Sequence, residues 1–529
     1  MGAAVPALAA PQARLAPGSS NFLLLGLGLA TGMEFFTFDA MNLVLVDLAG
    51  TLGVSLDEAS WLLTIYSSSL FLGVPISVWL AGHVGYKRYL VGTILLFAAS
   101  SIGCMVSPGF DTMLLCRAVQ GFAGAGLVVW WRASIYVLMP KPQRSPSLMR
   151  VSVLLYLSSA AGLVFGGMLT DAFTWRLIFL PSVAYAAGAL WLILRHFPEV
   201  ARPDAARVAG TDWPGIVLIG ISLAALQIVL NRGHIDDWLD SGRIRTLCWI
   251  SATAFLGFVW WQITPRNRAP LLVLELLRDR YVMSSALIGV CTGMILSGSL
   301  YVLPEYLRNV AEPRLSAAQT GQVMCIYALS AALVRPLVVD IIARFGQRRT
   351  IAGALTALIA AMLLLSRELT TATPGLYYAL PMVLYALCLS ALLPAVGSGT
   401  VAKIEQNKLL DGVSLYMTFR QFGASLGVAL LTILLEQRET LHSSRLFEHL
   451  RAAGDRTSTW LGHAGATIVA RGGQAPVEAP AVAARLLREA GGRQAETLAN
   501  ADAFLFMAAV GIVALCLIPI IPPTPPAKK

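Results

Sequence analysis

The chain has 529 residues, of which 57% are hydrophobic and only 13% charged, with a mean hydropathy of +0.70, a balance that excludes a soluble globular protein. Its formal net charge of +10 sits in short basic clusters between apolar runs, a mark of membrane topology and not of a nucleic-acid surface. The seven cysteines stand singly inside apolar runs and the six histidines in loops or at helix ends, so neither a disulfide framework nor a metal site is expected.

Residues 1–20 are rich in Ala and Pro and lack the basic start and apolar stretch of a secretion signal; they predict a flexible cytoplasmic tail. Beyond them about 20 apolar residues at a time suffice to cross the hydrocarbon core. The chain predicts fourteen such spans: 21–48, 59–82, 88–107, 112–139, 147–171 and 175–196; then 213–231 and 245–264; then 281–308, 316–344, 350–366, 376–402, 411–435 and 501–521. Lys and Arg favour alternate short loops by roughly 17 to 7, starting with Lys87 and Arg88, which puts both termini in the cytoplasm. The expected fold is all-α and integral to the membrane. Two pseudo-symmetric six-helix bundles, 21–197 and 280–436 with 501–521, flank two additional transmembrane helices at 212–265. Segment 437–500, with the amphipathic pieces ETLHSSRLFEHL and AVAARLLREA, is expected to be an extracytoplasmic loop.

The first span carries Glu34 near its middle and Asp39 about 7 Å further along. Ionisable groups at that depth are costly and usually face a bundle interior or a watery cavity, taking part in substrate or proton traffic. Phe35, Phe36 and Phe38 stand beside them. The second span ends in Gly85-Tyr86-Lys87-Arg88, and the tenth ends in Gly346-Gln347-Arg348-Arg349. That echo is expected of two parallel repeats with the same basic inner turn.

The fourth span contains Arg117-Ala-Val-Gln120-Gly121. A buried guanidinium wants an acid, and because the first span runs outward and the fourth inward, Asp39 and Arg117 fall at similar depth and are expected to form a coupled pair. Further along, Trp130, Trp131, Arg132 and Tyr136 would extend the phenylalanines into an aromatic cavity wall suited to lipophilic cations. The fifth span has small residues at Gly162, Gly166 and Gly167, a face that lets two backbones approach and seal. Asp171 and Trp175-Arg176 after it predict an interfacial anchor. On the tenth span, Arg335 and Asp340 are five residues apart, a poor spacing for pairing on one helix. They are candidate gating residues.

Taken together these residues resemble the fourteen-helix drug:proton antiporters of the major facilitator superfamily, the EmrB/QacA type. The likeness extends to Trp61-Leu-Leu-Thr64-Ile-Tyr66, Asn231-Arg-Gly233, Pro270-Leu-Leu-Val-Leu-Glu-Leu-Leu-Arg278, Leu303-Pro304-Glu-Tyr306 and Arg420-Gln421-Phe-Gly423-Ala-Ser425-Leu-Gly427. The resemblance implies a proton or substrate acid at Asp39, with Glu34 as a second acid and Arg117 as its functional arginine. It also implies a periplasmic adaptor protein as a partner, for which 437–500 is the candidate surface. Three positions depart from the family's pattern: Gly82 and Ala343 stand where an acid usually secures the inner turn, and Leu163 replaces the proline of the fifth-span motif.

The expected function is a secondary exporter of the inner membrane, exchanging inward-moving protons for small lipophilic compounds by alternating access. No GxxxxGK[ST] loop is present, so the proton gradient and no cofactor is the expected energy source. An exporter of one endogenous metabolite, or a membrane sensor that does not transport, remain the alternatives at this point. No nucleophile with a base at motif spacing points to an enzyme.

Overall fold

The computed structural model describes residues 19–199, 212–233, 236, 238–267, 270–371, 375–403, 409–470 and 478–521. The predicted tail lies outside the described residues except for its last two, which open the first helix. Among the described residues every regular element is helical: α1 (Ser19–Leu52), α2 (Leu56–Val84), α3 (Tyr86–Met105), α4 (Phe110–Leu138), α5 (Lys141–Ala172), α6 (Leu180–His196), α7 (Trp213–Arg232), α8 (Gly242–Ile263), α9 (Arg280–Asn309), α10 (Ala317–Phe345), α11 (Gln347–Glu368), α12 (Ala379–Lys403), α13 (Leu409–Ala452), α14 (Gly454–Ala470) and α15 (Ala479–Cys516). Each predicted span has its helix, α14 being additional. Among the described residues twelve helices are long and apolar enough to cross a membrane, and α12 contributes a shorter apolar stretch, Ala379–Leu392. The other two helices, α2 and α14, have 29 and 17 residues.

The internal echo is a backbone feature as well as a sequence one. Both α2 and α10 start with a capping box, Ser55 with Glu58 and Ser316 with Gln319, which satisfies two orphaned N–H groups at each helix start. Both end on a glycine of positive φ, Gly85 at 97° and Gly346 at 77°, a conformation that side chains resist. One residue thus turns the chain directly into the next helix. Packing repeats in the same order: α1 lies on α5 and α6, α2 on α4, α3 on α4 and α6, while α9 lies on α13 and α15, α10 on α12, α11 on α12 and α15. Across the middle, α5 meets α10 and α2 meets α13.

Helices α7 and α8 pack on each other, and α7 touches α2 and α13. The start of α7 and the end of α8 are tied by Asp212. Its carboxylate accepts from the Gly215 N–H at 2.9 Å, Trp261 Nε1 at 2.6 Å, Gln262 Nε2 at 2.5 Å, Asn267 Nδ2 at 3.1 Å and the Leu271 N–H at 3.0 Å. One buried acid therefore caps α7 and binds the end of α8 and the strand of chain after it.

Among its described residues the segment 437–500 is mostly helical. α13 has 44 residues, or about 66 Å of helix, against a hydrocarbon core of about 30 Å. It runs on to Ala452, well beyond the predicted span end at 435, and α15 begins at Ala479, well before the predicted span start at 501. The amphipathic pieces drive this, because an apolar stripe at helical spacing finds a partner in the neighbouring helix. α14 and α13 both pack on α15, His442 Nε2 lies 2.8 Å from Asp502 Oδ2, and Arg493 pairs at 3.1 Å with Glu312 in the link between α9 and α10.

This helical extension has a built-in pH dependence. Burial, and after it the charge of Glu439, raises the Glu496 carboxyl above its usual range, against the pull of Arg314 and Arg493. Burial, then Glu436, does the same to Glu439. A carboxyl raised in the folded state stabilises below its unfolded value, and that stability is lost as pH rises through the folded value. Hydrogen exchange in 437–452 and 479–500, corrected for intrinsic rate, is therefore expected to be slower at about pH 4.5 than at about pH 7.5. Equal protection at both would remove the assignment.

Candidate functional site

A cavity of about 270 Å³ lies between α1, α2, α4 and α5 on one side and α9, α10, α12 and α13 on the other. Glu34 and Asp39 both line it and are 6% and 4% exposed, so neither acid of the first helix faces lipid.

Each acid is held by hydroxyls. Ser159 Oγ of α5 donates to Asp39 Oδ2, and Tyr327 Oη of α10 donates to Asp39 Oδ1 at 3.1 Å. Ser159 and Tyr327 also contact each other at 3.1 Å. Asp39 is thus bonded at once to its own six-helix group and to the other. Tyr327 is held edge-on by Tyr385 of α12 at 5.5 Å between ring centres, and Tyr385 Oη donates to the Leu296 carbonyl of α9 at 3.1 Å. Glu34 accepts from Tyr66 Oη of α2 at 3.0 Å.

The expected pair of Asp39 with Arg117 does not form. Arg117 Nη1 donates to Gln120 Oε1 at 2.7 Å, Gln120 Nε2 donates to Ser101 Oγ at 2.7 Å, and Arg117 Nε reaches the Leu62 carbonyl at 3.3 Å. Its guanidinium lies 4.1 Å over the Tyr66 ring, beside Glu34's partner. The reason is azimuth. Five helical residues rotate the chain by about 140° beyond a full turn, so Glu34 turns to α2 and α4 while Asp39 turns to α5 and α10. Similar depth did not mean the same face. Gly121 makes the Arg117 arrangement possible, since a Cβ there would strike the Tyr66 backbone.

The aromatic wall is also corrected. Phe35, Phe38, Trp131 and Arg132 line the cavity, but Trp130 and Tyr136 do not. Trp130 faces away from it, donating to the Ser77 carbonyl at 3.2 Å and packing at a tilt on Tyr86, 4.8 Å between ring centres. Phe36 packs on Tyr185, and Tyr136 sits under Arg144 at 5.7 Å. Adjacent helical residues point about 100° apart, so a run of aromatics cannot all face one cavity.

Among the gating candidates, Gly162 and Gly166 fit against Phe36 and Ala40 of α1, while Gly167 fits against Ala317 and Ala318 at the start of α10. Asp171, expected to be an interfacial anchor, accepts from the Ala318 N–H at 2.9 Å, a bond across the same seam. Lys87 Nζ donates to the Leu194 carbonyl near the end of α6 at 3.0 Å, and Arg88 is exposed. Arg335 is buried and its Nε has no partner among the described residues, whereas Asp340 is exposed. The C-terminal ends of α1 and α9 are joined by a residue pair that the spans alone did not suggest. Arg308 grips Asp47 with two parallel bonds of 2.7 and 3.0 Å and also reaches the Leu43 carbonyl.

Ser159, Tyr327, Arg308 and Arg420 are site residues to which the sequence alone assigned no role. A polar or charged side chain in the middle of an apolar run, the signal that marked Arg117, was present for Arg420 and Tyr327 too.

The sequence profile of the Major Facilitator Superfamily matches residues 27–428. A Multidrug export protein EmrB of Haemophilus influenzae is 25% identical over 82% of this chain and 84% of its own length. The Probable multidrug resistance protein EmrY of Escherichia coli is 25% identical over 82% and 84%. Among solved structures, an auto-inhibited POT family peptide transporter superposes with a TM-score of 0.58 at 14% identity, covering 95% of this chain and 96% of that one. At that identity the likeness speaks for the fold alone.

Proposed function

From the premise that this chain belongs to the Major Facilitator Superfamily, we propose that it is a secondary exporter, exchanging inward-moving protons for outward-moving lipophilic compounds. The multidrug export and resistance proteins named among its relatives support a drug-like substrate range. The observation that carries the proposal is Asp39, an acid facing the central cavity and bonded simultaneously to Ser159 and, across the cavity, to Tyr327. A proton taken up or lost there changes a bond between the two helical groups, which is what alternating access requires.

In this reading the gradient supplies the energy without a cofactor, one elementary charge across 100 mV being worth about 2.3 kcal/mol. The chain sits in the inner membrane with both termini in the cytoplasm, and the helical extension of α13 to α15 lies in the outer compartment. There it offers a helical surface to a periplasmic adaptor. The test is gradient-driven movement of a panel of lipophilic anions, cations and neutral compounds by purified protein in liposomes. Movement that collapses when an ionophore dissipates the pH difference is expected, and none across the panel would overturn the proposal.

A further inference from the structure

Two arginines face the cavity from opposite helical groups, Arg132 of α4 and Arg420 of α13, close enough to interact electrostatically. Neither forms an ion pair among the described residues. Of the cavity's acids, Asp39 is bonded to Ser159 and Tyr327, while Glu34 is bonded to Tyr66 and lies in electrostatic range of Arg420 without forming an ion pair with it. Glu305 lies one turn from Arg308 at the C-terminal end of α9. Two like charges facing each other in a water-poor interior are costly without a counterion.

Donors near these arginines also lack acceptors among the described residues. Arg420 Nε, Ser425 Oγ on the same helix and Tyr416 Oη are buried without a partner, and Tyr416 lies within electrostatic range of both arginines. Buried donors of this kind are rare and call for an acceptor. Two of the cavity's aromatic faces already hold a cation of the protein itself. Arg132 lies 4.2 Å over Trp131, and Arg117 lies 4.1 Å over Tyr66.

We infer that the cavity takes a lipophilic organic anion, its acidic group clamped between Arg132 and Arg420 and its apolar body against Phe35, Phe38, Leu155 and Leu389. The inference rests on the exporter reading for the transport step alone; binding of the anion does not depend on transport. The clamp also joins the two helical groups through the ligand, as a guanidinium from each bonds one acidic group. A substrate cation would instead face two guanidinium groups, neither of them held in an ion pair among the described residues, which disfavours it.

4-Phenylbutyrate and 4-phenylbutylammonium are a matched pair, alike in their apolar body and opposite in charge. Equilibrium dialysis of the purified full-length protein, corrected for empty micelles, is expected to give at least tenfold tighter binding of the carboxylate. Arg132→Gln and Arg420→Gln should each erase most of that preference, with ammonium binding equal to or tighter than in the unmodified protein, and Arg420→Lys should restore part of it. Equal or tighter binding of the ammonium by the unmodified protein would overturn the inference, as would carboxylate affinity that ignores both glutamine variants. Inorganic sulfate competing as strongly as the carboxylate would overturn the lipophilic part. Ammonium carried on the pH gradient without carboxylate binding would sink the anion site and leave the exporter standing. Arginine-dependent carboxylate binding with no gradient-driven movement would do the reverse.

Discussion

Liposomes carrying Asp39→Asn are expected to lose proton-driven export by about a hundredfold or more, to the background of empty vesicles, while the purified variant melts close to the unmodified protein. Asn keeps the shape of the side chain and one acceptor oxygen, so a single hydroxyl bond survives, and the Ser159–Tyr327 contact at 3.1 Å does not involve Asp39 at all. What disappears is the proton-binding oxygen and its answering bond. Ser159 and Tyr327 come from helices of different groups, α5 and α10, so a carboxylate between them is a switch on their distance, and an amide is not. Substrate exchange without a gradient should persist in Asp39→Asn, because the cavity and its arginines are untouched. Glu34→Gln should be milder, since its Tyr66 bond lies within one helical group. Full gradient-driven transport by Asp39→Asn would remove Asp39 from coupling.

Much of the helical layout was legible because apolar length is a one-dimensional property. All fourteen predicted stretches became helices, and Gly85 and Gly346 announced the repeated turn. Which face of a helix a residue occupies is only half one-dimensional. Periodicity separates Glu34 from Asp39, but nothing in the chain says which neighbour each direction holds, so Arg117 was matched to the wrong acid on depth alone. The same limit moved Trp130 and Tyr136 out of the cavity wall. Asp47 and Arg308 lie at span ends, where charge is ordinary, and only the packing of α1 beside α9 gives their pairing meaning. The extension of α13 and α15 was hidden differently: its sequence is polar enough for a loop, and its helicity depends on neighbours that only the fold supplies.

Gly167→Leu is expected to be the most damaging small change in the membrane domain. A Cβ at Gly167 would overlap the backbone of Ala317 and Ala318, and on the facing helix a Cβ at Gly321 would strike the Leu163 carbonyl. Because both obstacles are main chain, no rotamer change relieves them, and α5 and α10 must move apart. Overpacking a well-fitted interior costs about 1–3 kcal/mol even where side chains can yield, so the cost here lies at or above that range. Moving these helices apart also pulls Tyr327 from Asp39 and the Ala318 N–H from Asp171, two bonds that cross the same seam. Export should fall to background and melting by several degrees, roughly, with Gly167→Ala between Leu and the unmodified protein. Gly92→Leu and Gly353→Leu, where an added Cβ meets nothing within 4 Å, should leave both measurements unchanged. If Gly167→Leu matched those controls in both melting and transport, the α5–α10 seam would not be the close contact on which movement of the two groups depends.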